Sequence, residues 1–169
     1  GHSAALLARL SPKGRLFAFD VDPSAVAVAR QLEKKDPRFR IVHRPFGDLA
    51  EALPEGLVLS GVLMDLGVSS PQLDERERGF TGGPLDMRMN PRIGKPANEL
   101  LQELSPQELA WILREYGEDK DPLLAARIAE GIARWQQEKG AFRDSQQLAD
   151  AVAGMKRGLD DRSQRPEKL

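Results

Sequence analysis

The chain has 169 residues, the size of one ordinary domain or of one domain with a small appendage. Hydrophobic residues account for 40% of it and charged residues for 30%, a composition that argues against intrinsic disorder, collagen and coiled coil. The absence of cysteine and the presence of only two histidines exclude disulfides, cysteine-based zinc sites and histidine-rich metal clusters. The net charge of −1 means that any contact with nucleic acid must come from local basic patches. No apolar run is long enough to cross a bilayer.

The first part of the chain alternates predicted helices and strands. Apolar residues recur at helical spacing in some segments and form short runs in others. The predicted elements are a helix over Ser3–Leu10, a strand over Arg15–Asp20, a helix from Pro23 to about Lys34, a strand over Arg38–His43, a short helix over Leu49–Leu53 and a strand over Leu57–Leu66. This alternation is typical of a parallel α/β sheet.

The second part of the chain is predicted to be helical after a long ordered loop. Residues 68–96 are rich in glycine, proline, serine and charge, and a loop of that length is usually functional or disordered. Ser105 and Glu108 form a capping box that opens a helix to Tyr116. Asp121 and Pro122 open another helix to about residue 137, and Asp144 is a candidate cap for a third helix to about residue 155.

Acidic residues follow two of the predicted strands. Asp20 ends the first strand, about 20 positions after Gly1, the spacing at which a carboxylate takes the ribose hydroxyls of a nucleotide cofactor. Asp65 ends the third strand and precedes a run of small and polar residues. Helix or turn capping is the alternative interpretation of Asp20, Asp22 and Asp65. Two acids at successive strand ends indicate a cofactor cleft more strongly than either acid does alone.

The segment Gly79–Met89 combines glycines, two methionines and an arginine. Glycine allows tight turns and close approach of the backbone to a ligand. Met87 and Met89 are adaptable apolar contacts, and Arg88 suits phosphate or the face of a base. The alternative interpretation is a structural loop whose methionine side chains pack into the helical half.

Several of these segments, taken in chain order, resemble one known family. They include the strand end Phe19-Asp20-Val21-Asp22-Pro23, the string DLGVSSPQLD at 65–74 and the string GPLDMRM at 83–89. The chain closely resembles the RsmH (MraW) family of S-adenosylmethionine-dependent ribosomal RNA cytosine-N4 methyltransferases. The resemblance covers nearly the whole chain, and the two strings are far more specific than a lone glycine-rich pattern.

The resemblance implies an α/β fold: a class I (Rossmann-like) methyltransferase core, here incomplete, with an inserted all-helical domain. Residues 1–85 would form the partial core that binds S-adenosylmethionine, and residues 86–169 a helical domain that recognises RNA. No metal is expected. The residues that the resemblance places around the cofactor are Gly1, His2, Asp20, Phe46, Asp65 and Gln72.

The implied substrate is a cytidine in the decoding region of small-subunit ribosomal RNA. Its exocyclic amine is a poor nucleophile, and hydrogen-bond acceptors for the amine hydrogens would activate it. Candidate acceptors are Asp86 and the loop of Ser69 and Ser70. Candidate RNA contacts are Arg78, Phe80, Arg88 and Arg92. The small ribosomal subunit is the expected partner, with no membrane involved, and the cytoplasm is the expected compartment, or mitochondria or plastids for a eukaryotic parent.

We expect the chain to be a piece of a longer protein, because it begins without an initiator Met. The family has a glycine-rich loop and a central strand ahead of the position of Gly1. Without that strand, the strands that end at Asp20 and Asp65 would lack their shared neighbour. Two alternatives therefore stay open: a relative that binds ribosomal RNA without methyl transfer, and a methyltransferase with another substrate. A plain NAD-binding domain is a weaker third interpretation.

Overall fold

The computed structural model describes residues 1–117 and 121–163, with side chains through Arg157. The rest of the predicted helical domain, residues 118–120 and 164–169, lies outside the described residues. The chain forms two compact units. The first comprises Gly1–Gly67 and Met89–Arg92, and the second comprises Val68–Arg88 and the described residues from Ile93 onward. The predicted division after residue 85 concerns cofactor and RNA binding, and it stays a prediction.

The first unit contains a two-stranded parallel sheet and its crossover helix. Its elements are α1 (His2–Leu7), β1 (Leu16–Phe19), α2 (Pro23–Lys35), β2 (Phe39–Val42) and α3 (Leu49–Ala52). The strands pair with Leu16 opposite Phe39 and Phe19 opposite Val42. Each predicted element before residue 54 is therefore present, with bounds shifted by a few residues at most. The α/β class is confirmed.

The core of the first unit forms where the crossover helix packs on the sheet. Asp22 caps α2, because its carboxylate accepts a hydrogen bond from the Ser24 backbone N–H at 2.8 Å, and Pro23 is the first helical residue. The apolar face of α2 packs against the strands. The buried side chains of this core are Leu7, Val26, Phe39 and Ile41.

The predicted third strand is absent, so this prediction is wrong. Residues 57–66 have no strand structure, and their apolar side chains face solvent. Val58 is 89% exposed and Leu63 is 62% exposed. A strand needs a neighbour for its backbone hydrogen bonds, and in the part of the chain that the structure describes β1 and β2 pair only with each other. The apolar run has strand character but no partner strand.

The turn between α2 and β2 is held by an ion pair. The Arg38 guanidinium donates to both carboxylate oxygens of Asp36, at 3.0 and 2.7 Å, and also to the backbone oxygen of Leu10 at 3.0 Å. The hydrogen bonds that Asp36 accepts from Arg38 lower the pKa of Asp36 from 3.8 to about 2. The pair thus links the end of α2 to the segment that follows α1.

The second unit is helical. It contains α4 (Ser70–Asp74), a 3-10 turn at Arg76–Arg78, α5 (Ala97–Glu103), α6 (Pro106–Tyr116), α7 (Pro122–Lys139) and α8 (Ser145–Ser163). The capping box of Ser105 and Glu108 is confirmed, as are the caps Asp121 and Asp144, which accept from the N–H groups of Leu123 and Gln147. The helix α8 extends eight residues beyond its predicted end. None of the described helices combines the length and apolar character of a membrane span.

The core of the second unit includes one residue from the long loop. Leu85 is 1% exposed, the lowest value among the large apolar side chains that the structure describes. It lies in a cluster with residues of α6, α7 and the α7–α8 connection, namely Leu109, Ile128, Ala129, Ile132 and Phe142. The loop that carries the GPLDMRM string is therefore anchored in the helical core.

The exposed segment 57–66 should drive self-association. We expect Leu63→Lys to lower both the fluorescence of a bound hydrophobic dye and the dimer fraction in sedimentation, with an unchanged Tm, because a charge breaks an exposed apolar surface. Val28→Lys, on an exposed position of α2, is the matched control and should change neither. An equal effect of the two substitutions would contradict this account.

The pair of Asp36 and Arg38 should make stability depend on acid pH. Because folding lowers the pKa of Asp36, its contribution is present above pH 3.8 and is lost as the pH falls towards about 2. Asp36→Asn should therefore unfold at a lower urea concentration at pH 7, and its difference from wild type should shrink between pH 3.8 and about 2. Asp74→Asn, at an exposed position, should show a difference that stays constant.

Candidate functional site

The predicted cofactor residue Asp20 lies directly after β1, at the carboxyl end of the sheet. Its backbone N–H continues the ladder to the Val42 carbonyl at 3.3 Å. Its side-chain oxygen Oδ1 accepts from the Asp22 N–H at 2.9 Å, so Asp20 shapes the turn that leads into α2. The side chain is half-buried. Asp22 is 3% exposed and acts as the helix cap, so the capping interpretation holds for Asp22.

Two further predicted cofactor residues lie together in the first unit. The Nδ1 atom of His2 is 3.2 Å from Oδ2 of Asp65, and both side chains are largely exposed. Gly1 precedes α1 as its cap residue. Phe46 is 57% exposed in the turn before α3. The unit thus presents two carboxylates and an aromatic face, although the segment leading to Asp65 is not a strand.

Ser69, Ser70 and Gln72 form the start of α4 in the second unit. Ser69 and Gln72 make a capping box, in which Oε1 of Gln72 accepts from the Ser69 N–H at 2.9 Å. Gln72 is 5% exposed, whereas both serines are exposed. The predicted cofactor residue Gln72 therefore also has a structural function. The two predicted acceptors beside it are accessible to a ligand.

The segment from Gly79 to Arg88, called here the loop 79–88, is fixed at many points. The N–H of Gly82 donates to Oγ of Ser145 at 2.8 Å, and the N–H of Ser145 donates to the carbonyl of Gly83 at 3.2 Å. The N–H groups of Ala97 and Asn98 donate to the carbonyls of Asp86 and Leu85, at 2.8 and 2.9 Å. These bonds attach the loop to the starts of α8 and α5.

Glycine is required at two positions where the loop 79–88 crosses other backbone. Gly79 and Gly83 have φ of 77° and 74°, a region that other residues rarely adopt. A Cβ atom on Gly79 would overlap the carbonyl oxygen of Pro84, and one on Gly83 would overlap the carbonyl oxygen of Arg76. The glycines serve close packing of the protein on itself at these positions.

Asp86 and Arg88 form a bidentate ion pair. The Nε and Nη2 atoms of Arg88 donate to the two Asp86 oxygens at 2.8 and 2.6 Å, and the Arg88 backbone N–H donates to Oδ1 at 3.0 Å. The remaining guanidinium nitrogen Nη1 donates to the carbonyl of Gly94 at 3.0 Å. Hydrogen bonds from Arg88 lower the pKa of Asp86, so the carboxylate stays ionised at neutral pH.

Met87 stands between the two charged partners in an unusual backbone conformation. Its φ is 63°, and among the described residues it is the one non-glycine residue with positive φ. The turn is fixed on both sides, because the Met87 N–H donates to the Arg78 carbonyl at 3.0 Å and Asp86 holds Arg88. The Met87 side chain is 43% exposed.

The four predicted RNA contacts occupy different environments. Arg78 donates through Nη2 to the carbonyl of Arg88 at 3.2 Å, and Phe80 is half-buried. The guanidinium of Arg88 donates to Asp86 and to the Gly94 carbonyl. Arg92 is exposed, and only its backbone turn, with N–H donating to Oδ1 of Asn90 at 3.0 Å, is fixed. Arg92 is therefore the most accessible of the four predicted RNA contacts.

Sequence reasoning missed Leu85 as the anchor of the loop. The alternative interpretation had methionine side chains packing into the helical half, but Met87 and Met89 are exposed by 43% and 37% and Leu85 is buried instead. The sequence contains a usable signal, because Leu85 is the one aliphatic residue between Phe80 and Met87. A lone aliphatic residue in a polar loop is a reasonable candidate for an anchor.

The first unit has the β–α–β arrangement of a Rossmann-like methyltransferase, with an acid at the carboxyl end of β1. The chain as a whole is therefore an α/β protein of that class with an attached helical unit. The sequence model of the MraW methylase family matches residues 1–167, and the chain belongs to that family. The family assignment predicted from the sequence is confirmed, and with it methyl transfer from S-adenosylmethionine as the type of reaction.

The side chains of the first unit fit S-adenosylmethionine in chemical type. Asp20 is a carboxylate at a strand end, a group that suits the two ribose hydroxyls. Phe46 is an exposed aromatic ring, which suits the face of adenine. Within the described residues, no group of three or more histidine, aspartate or glutamate side chains is arranged to hold a metal ion.

The burial of Leu85 should contribute strongly to stability. We expect Leu85→Ala to lower the free energy of unfolding by about 3 kcal/mol, because it leaves a cavity in the helical core. Met87→Ala, two residues away and exposed, should cost less than about 1 kcal/mol. Urea denaturation measures both values. Equal losses for the two variants would show that Leu85 does not anchor the loop.

Proposed function

We propose that this protein methylates the exocyclic N4 of a cytidine in the decoding region of small-subunit ribosomal RNA. The match to the MraW methylase family carries the proposal, because it spans both the α/β unit and the helical unit. The strings DLGVSSPQLD and GPLDMRM support the same substrate class through their resemblance to cytosine-N4 methyltransferases. A ribosomal substrate also sets the proposed compartment, the cytoplasm or the interior of a mitochondrion or plastid.

The cofactor residues of the proposal are those that the sequence indicated. Asp20 would accept hydrogen bonds from the ribose, and Phe46 would cover one face of the adenine. Gly1 and His2 would close the cofactor loop, and Asp65 and Gln72 would lie around the rest of the cofactor. When bound, S-adenosylmethionine supplies an electrophilic methyl group on a sulfonium. The exposed pair of His2 and Asp65 supports this proposal, because a ligand can reach both side chains.

The side chains of the second unit would prepare the nucleophile. The lone pair of the cytosine amine is delocalised into the ring, so acceptors for its hydrogens must localise the pair on nitrogen. Asp86 is an ionised acceptor at neutral pH, since Arg88 lowers its pKa. The exposed hydroxyls of Ser69 and Ser70 are acceptors that can rotate to suit. Such positioning and preorganised dipoles lower the barrier without a metal.

Access of a cytidine to these acceptors requires it to leave any helical stack. Unstacking costs a few kcal/mol, which the enzyme offsets by contacts with the extruded base and its phosphates. Exposed Arg92 is a phosphate contact in this proposal, and half-buried Arg78 and Phe80 are further candidate RNA contacts. Each phosphate contact makes RNA affinity fall with added salt.

A second candidate function is binding of ribosomal RNA without methyl transfer. The absence of strand structure at residues 57–66 favours it for the chain as it stands. Asp65 lies within that segment and is therefore not held in place by a sheet. Cofactor binding separates the two candidates, since the second one does not need S-adenosylmethionine.

Calorimetry of S-adenosylmethionine binding tests the proposal. We expect the wild-type chain to bind and Asp20→Ala to bind about tenfold or more weakly, because hydrogen bonds to a charged group are lost. Asp74→Ala, which removes an exposed carboxylate from α4, is the control and should bind like the wild type. Binding that survives Asp20→Ala unchanged would contradict the assigned role of Asp20. No binding by any form would favour the second candidate.

A further inference from the structure

The loop 79–88 holds a hydrophobic side chain where glycine would be less strained. Seven glycines among the described residues have positive φ, and Met87 is the one other residue type in that region. The left-handed conformation is unfavourable for a residue with a Cβ atom. Such strain persists only where the surroundings fix the backbone, and it is concentrated at ligand sites. Because glycine would adopt this conformation without strain, we expect the Met87 side chain to have a function that glycine could not provide.

Packing of the protein core does not explain the Met87 side chain. Leu85 fills the core position of the loop, and Met87 is 43% exposed two residues later. The protein instead fixes the Met87 backbone from both sides, through the ion pair of Asp86 and Arg88 and the bond from the Met87 N–H to the Arg78 carbonyl. The loop is built to hold Met87 in one orientation rather than to bury it.

The ion pair indicates that Arg88 supports the turn and does not make the phosphate contact that its charge alone would suggest. Three of its nitrogens donate to other groups of the protein, two of them to Asp86 and one to the Gly94 carbonyl. The side chain is 23% exposed. Contact with a phosphate would require these bonds to break. Arg88 is therefore suited to support the turn, and Met87 is the most exposed of its three side chains.

We propose that Met87 contacts the face of an RNA base and that Arg88, paired with Asp86, is the positioning residue that holds it there. A thioether is flexible and polarisable, and it makes favourable contacts with flat rings. A nucleobase is favoured as the occupant because the proposed substrate is RNA, whose bases are the flat rings that an exposed thioether contacts well. The inference rests on the proposed function for its substrate class, RNA, but it does not depend on which atom of the base is methylated.

The test is binding of a short fluorescein-labelled single-stranded RNA with a central cytidine, measured by anisotropy. We expect Met87→Ala to weaken binding about tenfold, the loss that removal of one base contact causes. Met87→Leu should restore most of the affinity, because it keeps an apolar side chain. With an RNA that lacks the base at the central position, wild type and Met87→Ala should bind equally. Equal weakening on both RNAs, or no weakening, would overturn the assignment of Met87.

The role of Arg88 is separated by a double-mutant cycle and by salt. Arg88→Gln should weaken binding as much as Met87→Ala, and the double variant should be no weaker than either single variant. The slope of log affinity against log salt should be unchanged by Arg88→Gln. A slope reduced by about one would show a direct phosphate contact and overturn the positioning role. Arg88→Lys, with its Tm recorded, provides a second variant that keeps the charge but loses the bidentate geometry.

The outcomes also distinguish this inference from the proposed function. RNA binding that depends on Met87, without methyl transfer to small ribosomal subunits, would uphold the base contact and contradict the reaction. Methyl transfer that is unaffected by Met87→Ala, together with unchanged RNA binding, would uphold the reaction and overturn the base contact. Absence of RNA binding in the wild-type chain would overturn both.

Discussion

The burial of Leu85 is the constraint on which the geometry of the candidate RNA-binding loop depends. Its side chain packs against helices α6 and α7 and against Phe142. This packing fixes the backbone of the loop 79–88. The carbonyl groups of Leu85 and Asp86 then accept from the start of α5, and Gly82 and Gly83 bond to Ser145 at the start of α8. The apolar contact of Leu85 thus sets the position of the loop, and the hydrogen bonds set the direction of its backbone.

An ion pair adds to the packing that fixes this loop. The pair of Asp86 and Arg88 is partly shielded from solvent, and both Asp86 oxygens accept directly from the guanidinium. A bidentate pair of this kind specifies geometry as well as charge. It leaves Met87 exposed with a backbone that is fixed in the left-handed region. The carboxylate of Asp86 is thereby both a support for the turn and a candidate acceptor for the substrate amine, and these two tasks are compatible because each oxygen can accept more than one hydrogen bond.

Local signals in the sequence predicted most of the fold. Asp22 with Pro23, Ser105 with Glu108, and Asp121 with Pro122 each mark a helix start, and the structure has a helix at each. The strand prediction over residues 57–66 failed because a strand is not a local structure. Its apolar residues carry the right pattern, but pairing is a property of two segments, and β1 and β2 pair with each other. The site is only partly readable for the same reason: Asp20 at a strand end follows from the pattern, whereas the bidentate pair, the strain at Met87 and the burial of Leu85 are tertiary features.

We propose that this member of the MraW methylase family methylates a cytidine of small-subunit ribosomal RNA on N4. The most direct measurement supplies small ribosomal subunits and S-adenosylmethionine with a labelled methyl group, followed by digestion of the RNA to nucleosides and identification of the labelled product. The account predicts label in N4-methylcytidine, formed by the wild-type chain and strongly reduced by Asp20→Ala. Label in another nucleoside would contradict the claimed substrate atom, and no label in RNA despite measurable cofactor binding would contradict the claimed reaction.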